Sequence, residues 1–96
     1  MADDPTFEWD EANIQHIARH NVKPSEVEQV FWNDPDYVNY ELVNDEPRWT
    51  MIGHTSLLRV LFIVWTARQN TRIRTITARD VPVRTRIAYF MQRGVI

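Results

Sequence analysis

Val60-Leu61-Phe62-Ile63-Val64-Trp65 is the longest apolar run in the chain and is rich in β-branched and aromatic side chains. A run of this length reads as a strand, and one that is apolar on both faces belongs in the middle of a sheet. The pattern predicts a central strand over Leu57–Thr66, entered from a turn at His54-Thr55-Ser56 and left through a turn at Gln69-Asn70. Downstream, Thr71 to Arg79 alternates with period two. That places Arg72, Arg74, Ile76 and Ala78 on one face and Ile73, Thr75, Thr77 and Arg79 on the other. Upstream, Tyr37–Val43 and Arg48–Gly53 flank a polar turn at Asn44-Asp45-Glu46-Pro47 and read as a hairpin.

The segments around this sheet carry helix signals. Thr6-Phe7-Glu8-Trp9 alternates as a short edge strand, and Asp10 offers a side-chain oxygen to cap a helix over Glu11–His20. Asn21 tolerates the left-handed conformation that ends a helix. Pro24 opens a second helix in its first turn, Val27, Val30 and Phe31 face its core side, and Asn33-Asp34-Pro35 ends it. Asp80 is expected to cap a last helix with Pro82 in its first turn and Val83, Ile87, Phe90 and Met91 as its apolar stripe. The expected order is β-α-α-β-β-β-β-α, an α+β two-layer fold with an antiparallel sheet and the helices packed on one face.

Ninety-six residues, 44% apolar and 25% charged, make one small domain spanning residues 1–96. Such a chain buries roughly 60 to 70% of its unfolded surface, enough for one core but not for a cleft between two domains. The absence of cysteine excludes thiolate metal sites, cysteine nucleophiles and disulfides. Met1-Ala2-Asp3-Asp4-Pro5 is acidic where a signal peptide is basic, and no apolar run is long enough to cross a bilayer, so a cytoplasmic protein with no membrane partner is expected. With Gly53 and Gly94 the only glycines, a phosphate-cradling loop is excluded, and with it kinase or dehydrogenase chemistry. His16 and His20 share a helix face but lack a third ligand, so neither metal nor cofactor is expected.

The net charge of −2 conceals a division. Residues 1–46 hold twelve acids against Arg19 and Lys23, a balance of −10, whereas nine arginines against Asp80 give +8 from Pro47 onward. Clustered arginines suit bidentate phosphate contacts. The competing reading is that the acidic half folds against the basic half and neutralises it.

Phe7-Glu8-Trp9-Asp10, Ala18-Arg19-His20-Asn21-Val22, Phe31 with Asp34-Pro35, Arg48-Trp49 before Ile52-Gly53, and Arg72-Ile73-Arg74 running into Ile76-Thr77-Ala78-Arg79 occur in that order. In this combination the chain resembles the BrnT family of type II toxins, over about residues 6 to 90. The resemblance implies a RelE-like fold and an endoribonuclease that arrests translation. It also implies a BrnA-like ribbon-helix-helix antitoxin, through whose complex operator DNA is bound. The chain departs from the family pattern at Asn21, where a glycine is common, and at Ala67 and Thr85, where many relatives carry glutamates. The general base is therefore left open.

Metal-independent RNA cleavage needs a 2′-hydroxyl to attack the neighbouring phosphate, cations to hold the phosphorane charge, and proton donors and acceptors. Arg74 and Arg79 match recurrent family positions, as do Arg48 and Arg68 at strand ends, and all four are candidate catalytic residues. His54, after a glycine at a strand end, is a candidate proton exchanger, and Tyr89 on the last helix a candidate phosphate or base contact. Arg72, Arg84 and Arg86 are candidate RNA contacts. Alternation puts Arg74 and Arg79 on opposite faces, so one site can use both only if a bulge or the end of the strand redirects Arg79. The alternatives are an inactive RNA-binding or antitoxin-binding regulatory module, and a structural partner whose basic half docks an acidic protein segment.

Overall fold

The computed structural model describes residues 6–69 and 71–95; the readings of Met1–Pro5 and of Asn70 concern residues outside these. The elements run β1 (Thr6–Glu8), α1 (Glu11–Ala18), α2 (Pro24–Trp32), β2 (Asp36–Val43), β3 (Glu46–His54), β4 (Val60–Arg68), β5 (Arg72–Asp80) and α3 (Val83–Gln92). This is the expected α+β order. The five strands form one sheet in the order β1-β5-β4-β3-β2, with β4 central as its apolar run requires. The sheet is antiparallel except for β1, which joins β5 in parallel, pairing Phe7 with Ile73 and Glu8 with Arg74.

Local signals explain most element boundaries. Asp10 accepts from the Asn13 backbone N–H at 3.0 Å, while Asn13 Oδ1 accepts from the Asp10 N–H at 2.8 Å. This reciprocal capping box starts α1. Asn21 is left-handed at φ 58°, as its position after α1 requires. Asn44 and Asp45 both take positive φ, so the hairpin turns on two residues, and Glu46 and Pro47 already belong to β3. The central strand begins at Val60 rather than Leu57, because a tight turn holds Thr55–Arg59: the Thr55 N–H donates to Arg59 O, and the Leu58 N–H to Thr55 O.

Two layers of core result. Ile17, Val22, Val27 and Val30 from the helical side meet Met51, Leu61, Ile63 and Ala78 of the sheet. Gly53 belongs to this face, and a Cβ there would lie 2.6 Å from Val30 Cγ1 and 3.1 Å from Pro35 Cβ. Beyond the end of α2, Trp65 stacks on Trp49 at 4.6 Å and meets Phe31 at 5.3 Å.

Helix α3 differs from the expectation of helices on a single face. It closes a second cluster of Val60, Val81, Tyr89 and Phe90 with Ile52 and Phe62, which strand alternation puts on the face opposite Met51 and Ile63. The apolar stripe shifts accordingly: Tyr89 and Phe90 are buried, while Val83, Ile87 and Met91 are exposed. Asp80 does not cap α3. It ends β5 with its carboxylate 2.7 Å from Arg59 Nε, and Pro82 stands at the helix start without a side-chain cap.

Candidate functional site

Strand β5 is not a regular strand. Val64 pairs with Thr77 and Trp65 with Thr75, so Ile76 is an extra residue facing no partner. A β-bulge of this kind reverses the parity of everything beyond it. The expected division of β5 therefore fails at Ile76: Ile73, Thr75 and Ala78 share the inward face, and Arg72, Arg74, Thr77 and Arg79 share the other.

Residues paired across an antiparallel sheet point the same way, which fixes their neighbours. Arg72 stands opposite Arg68, Arg74 opposite Thr66, and Arg79 opposite Phe62. Arg48 joins the same face through β3, where Thr50 pairs with Val64. One sheet face thus carries Arg48, Arg68, Arg72, Arg74 and Arg79, with α3 across one end. Four strand positions separate the Arg79 and Arg74 pairings, which corresponds to about 13 Å along the sheet.

Carboxylates from the acidic half meet most of these cations. Glu8 lies 3.1 Å from Arg74, 3.2 Å from Arg72 and 3.8 Å from Arg68. Asp10 adds a 2.7 Å contact to Arg74, and Glu46 holds Arg48 at 3.1 Å. The Glu8 and Arg74 side chains are each only 15% exposed, so this pair is built into the structure. Hydrogen bonding from Arg74, then from the Asn13 backbone, holds the Asp10 carboxyl below its ordinary range. Reciprocally, Asp10 and Glu8 hold the Arg74 guanidinium above its ordinary value. Arg79 differs: its guanidinium lies 4.8 Å over the Phe62 ring, and it forms no ion pair with the described residues.

His54 and Tyr89 are brought together, beneath α3. His54 Nδ1 and the Tyr89 hydroxyl share a 2.7 Å hydrogen bond, and the Tyr89 ring lies 4.4 Å under the Arg93 guanidinium. Tyr89 is 4% exposed. Burial, then the Arg93 charge, lowers the His54 pKa and favours its neutral form; burial raises that of Tyr89. Arg84 and Arg86 lie on α3 rather than on the strand face, and Arg86 stacks over Phe90 at 5.7 Å.

Glu8 and Asp10 are the residues that sequence reasoning missed as partners of this face. The signal was present as two acids flanking Trp9, but the register of a three-residue parallel strand is not legible in its sequence. Among the described residues no group of three or more His, Asp or Glu is arranged to hold a metal ion.

A family model described as "Ribonuclease toxin, BrnT, of type II toxin-antitoxin system" matches residues 9–84. The chain belongs to the BrnT family. Family membership implies an RNA target and an antitoxin partner. Among curated proteins there is no match. The region matched to BrnT spans Arg48, His54 and the arginines of β4 and β5, and stops before Arg86 and Tyr89. No helix among the described residues is long and apolar enough to cross a membrane.

Proposed function

We propose that this BrnT chain is a translation-inhibiting endoribonuclease that works without metal, neutralised by a BrnA-like ribbon-helix-helix antitoxin. The observation that carries the reading is the Ile76 bulge, which turns Arg79 onto the face of Arg48, Arg68, Arg72 and Arg74. On that face Arg79 has its guanidinium free of carboxylates among the described residues, and it is the cation suited to hold charge developing on a phosphorane as the 2′-hydroxyl attacks. Arg48, Arg68 and Arg72 contact the flanking phosphates. Arg74, committed to Glu8 and Asp10, orients β1 against β5 and acts as a positioning residue. His54 and Tyr89 fix α3 over the Arg79 end of the sheet.

The test is cleavage of a defined single-stranded RNA in excess EDTA, with product ends analysed for 2′,3′-cyclic phosphate. Cyclic-phosphate products that disappear in a folded Arg79→Ala variant support the reading. RNA left intact by the unaltered protein rejects free-standing cleavage. A second reading, an RNA-binding module that does not cleave, draws on the same ion pairs: carboxylates meet four of the five arginines on the face. Salt-dependent RNA binding without cleavage would select it.

A further inference from the structure

The turn between β3 and β4 presents two leucines to solvent in a strained backbone. Leu57 is 93% exposed, and Leu58 takes φ 66°. The other five non-glycine residues described at positive φ are asparagine, aspartate or glutamine, types whose short or flexible polar side chains suit turns; Leu58 is the apolar exception. The strain does not serve burial, because Leu58 is itself exposed. Strain of this kind persists where the surrounding structure enforces it, and it concentrates at binding surfaces.

The two leucines are part of a larger patch. Leu57, Leu58, Val60, Val81 and Val83 line an open cavity of about 400 Å³ together with Arg59, Asp80 and Arg86. Along α3 the patch continues through Val83, Ile87 and Met91, spaced four residues apart and all exposed, Val83 at 72%. This spacing makes one stripe on a helix, which matches the stripe of a second helix laid against it.

Charge around the patch selects the occupant. Arg59 is saturated by Asp80 and Glu26 at 2.7 and 3.1 Å. Arg84 and Arg86, beside the stripe, form no ion pair with the described residues. An apolar groove edged by unpaired cations complements a helix that is apolar on one face and acidic beside it. A second copy of this chain fits poorly, because it would bring Arg84 and Arg86 towards the same residues of its partner.

We propose that the Leu57–Leu58 turn and the outer face of α3 form the docking surface for an acidic amphipathic helix of a protein partner. Its apolar positions lie on Leu57, Leu58, Val83 and Ile87, and its carboxylates meet Arg84 and Arg86. The proposal rests on the toxin reading above, which makes the antitoxin the source of that helix. The arginine face of the sheet is left outside this contact.

The test uses the full chain with the antitoxin encoded beside its gene, following hydrogen exchange in the complex and the affinity of a Leu57→Asp/Val83→Asp variant. Protection of residues 55–60 and 83–91, and affinity at least tenfold weaker in the variant, are expected, with RNA cleavage by the free variant unchanged. An Arg84→Glu/Arg86→Glu variant is expected to lose affinity too, and it keeps the test open if the first variant fails to fold. Protection elsewhere with undiminished variant affinity overturns the docking site and leaves the toxin reading standing. Protection of these segments by RNA alone, or by raising the concentration of this chain alone, also overturns it. Absence of any complex removes the antitoxin reading and the proposal together, while the cleavage assay still judges the ribonuclease reading.

Discussion

Arg74 and Arg79 lie on the same face of β5 although they are five positions apart, because Ile76 faces no partner on β4. In an unbroken strand the two guanidinium groups would point to opposite sides of the sheet. Deleting Ile76 makes Thr75 and Thr77 neighbours opposite Trp65 and Val64, so Arg74 and Arg79, then four positions apart, keep one face and Ala78 stays inward. The deletion variant is expected to fold and to retain RNA cleavage; cleavage lost in a folded deletion variant would show that the bulge sets more than the parity of the strand.

Arg79 and Arg74 should separate in their effects. Arg79 is exposed and its main contact is the Phe62 ring, so Arg79→Ala is expected to cost about 0.5–1 kcal/mol of stability. Its cleavage rate should nevertheless fall at least tenfold. Arg74→Ala leaves Glu8 in a site 15% exposed and removes the contact to Asp10. A loss of about 1.5–3 kcal/mol is expected in urea unfolding, the range for hydrogen bonds to charged groups.

Acid should weaken the fold through Asp10 and Asp80. Both carboxyls are held below their ordinary value of 3.8, Asp10 chiefly by Arg74 and Asp80 chiefly by Arg59. A carboxyl depressed in the folded state contributes its stability fully above the unfolded value and loses it as pH falls through the folded one. Stability should therefore drop as pH falls below about 4. Asp80→Asn should flatten that part of the profile, measured as urea midpoint against pH.

His54 acts in a different window. Its folded pKa lies below the ordinary 6.5, so the unfolded chain binds the proton more readily. Stability is then fully present above the unfolded value and is lost as pH falls through the folded one. His54→Gln, which keeps a polar group near Tyr89, is expected to remove this slope just below pH 6.5. An unchanged slope would assign it to other groups.

Gly53 is sterically required. Gly53→Ala puts a Cβ 2.6 Å from Val30 Cγ1 and 3.1 Å from Pro35 Cβ, against a helix and a loop that both pack there. The overpacking is expected to cost about 1–3 kcal/mol in denaturant unfolding. Substituting Gly94, whose Cβ would meet nothing within 4 Å, carries only the strain of its φ of +72°.

The element order, the central place of residues 60–65, the Asp10 cap, the Asn21 stop and the arginine-rich half of the chain are legible in the amino-acid sequence. Each is set by side chains within a few residues of one another, so periodicity and capping chemistry suffice to read it. Tertiary structure decided which arginines share a face and which of them are neutralised. The Ile76 bulge depends on register with β4, and the Glu8 pairs depend on β1 crossing the chain to lie parallel to β5. The side of the sheet taken by α3, and with it the exposure of Val83, Ile87 and Met91, was settled in the same way. A helix stripe records which residues are apolar, but whether they are covered depends on how much apolar sheet lies beneath them, and here Ile52, Phe62 and Val60 suffice for Tyr89 and Phe90.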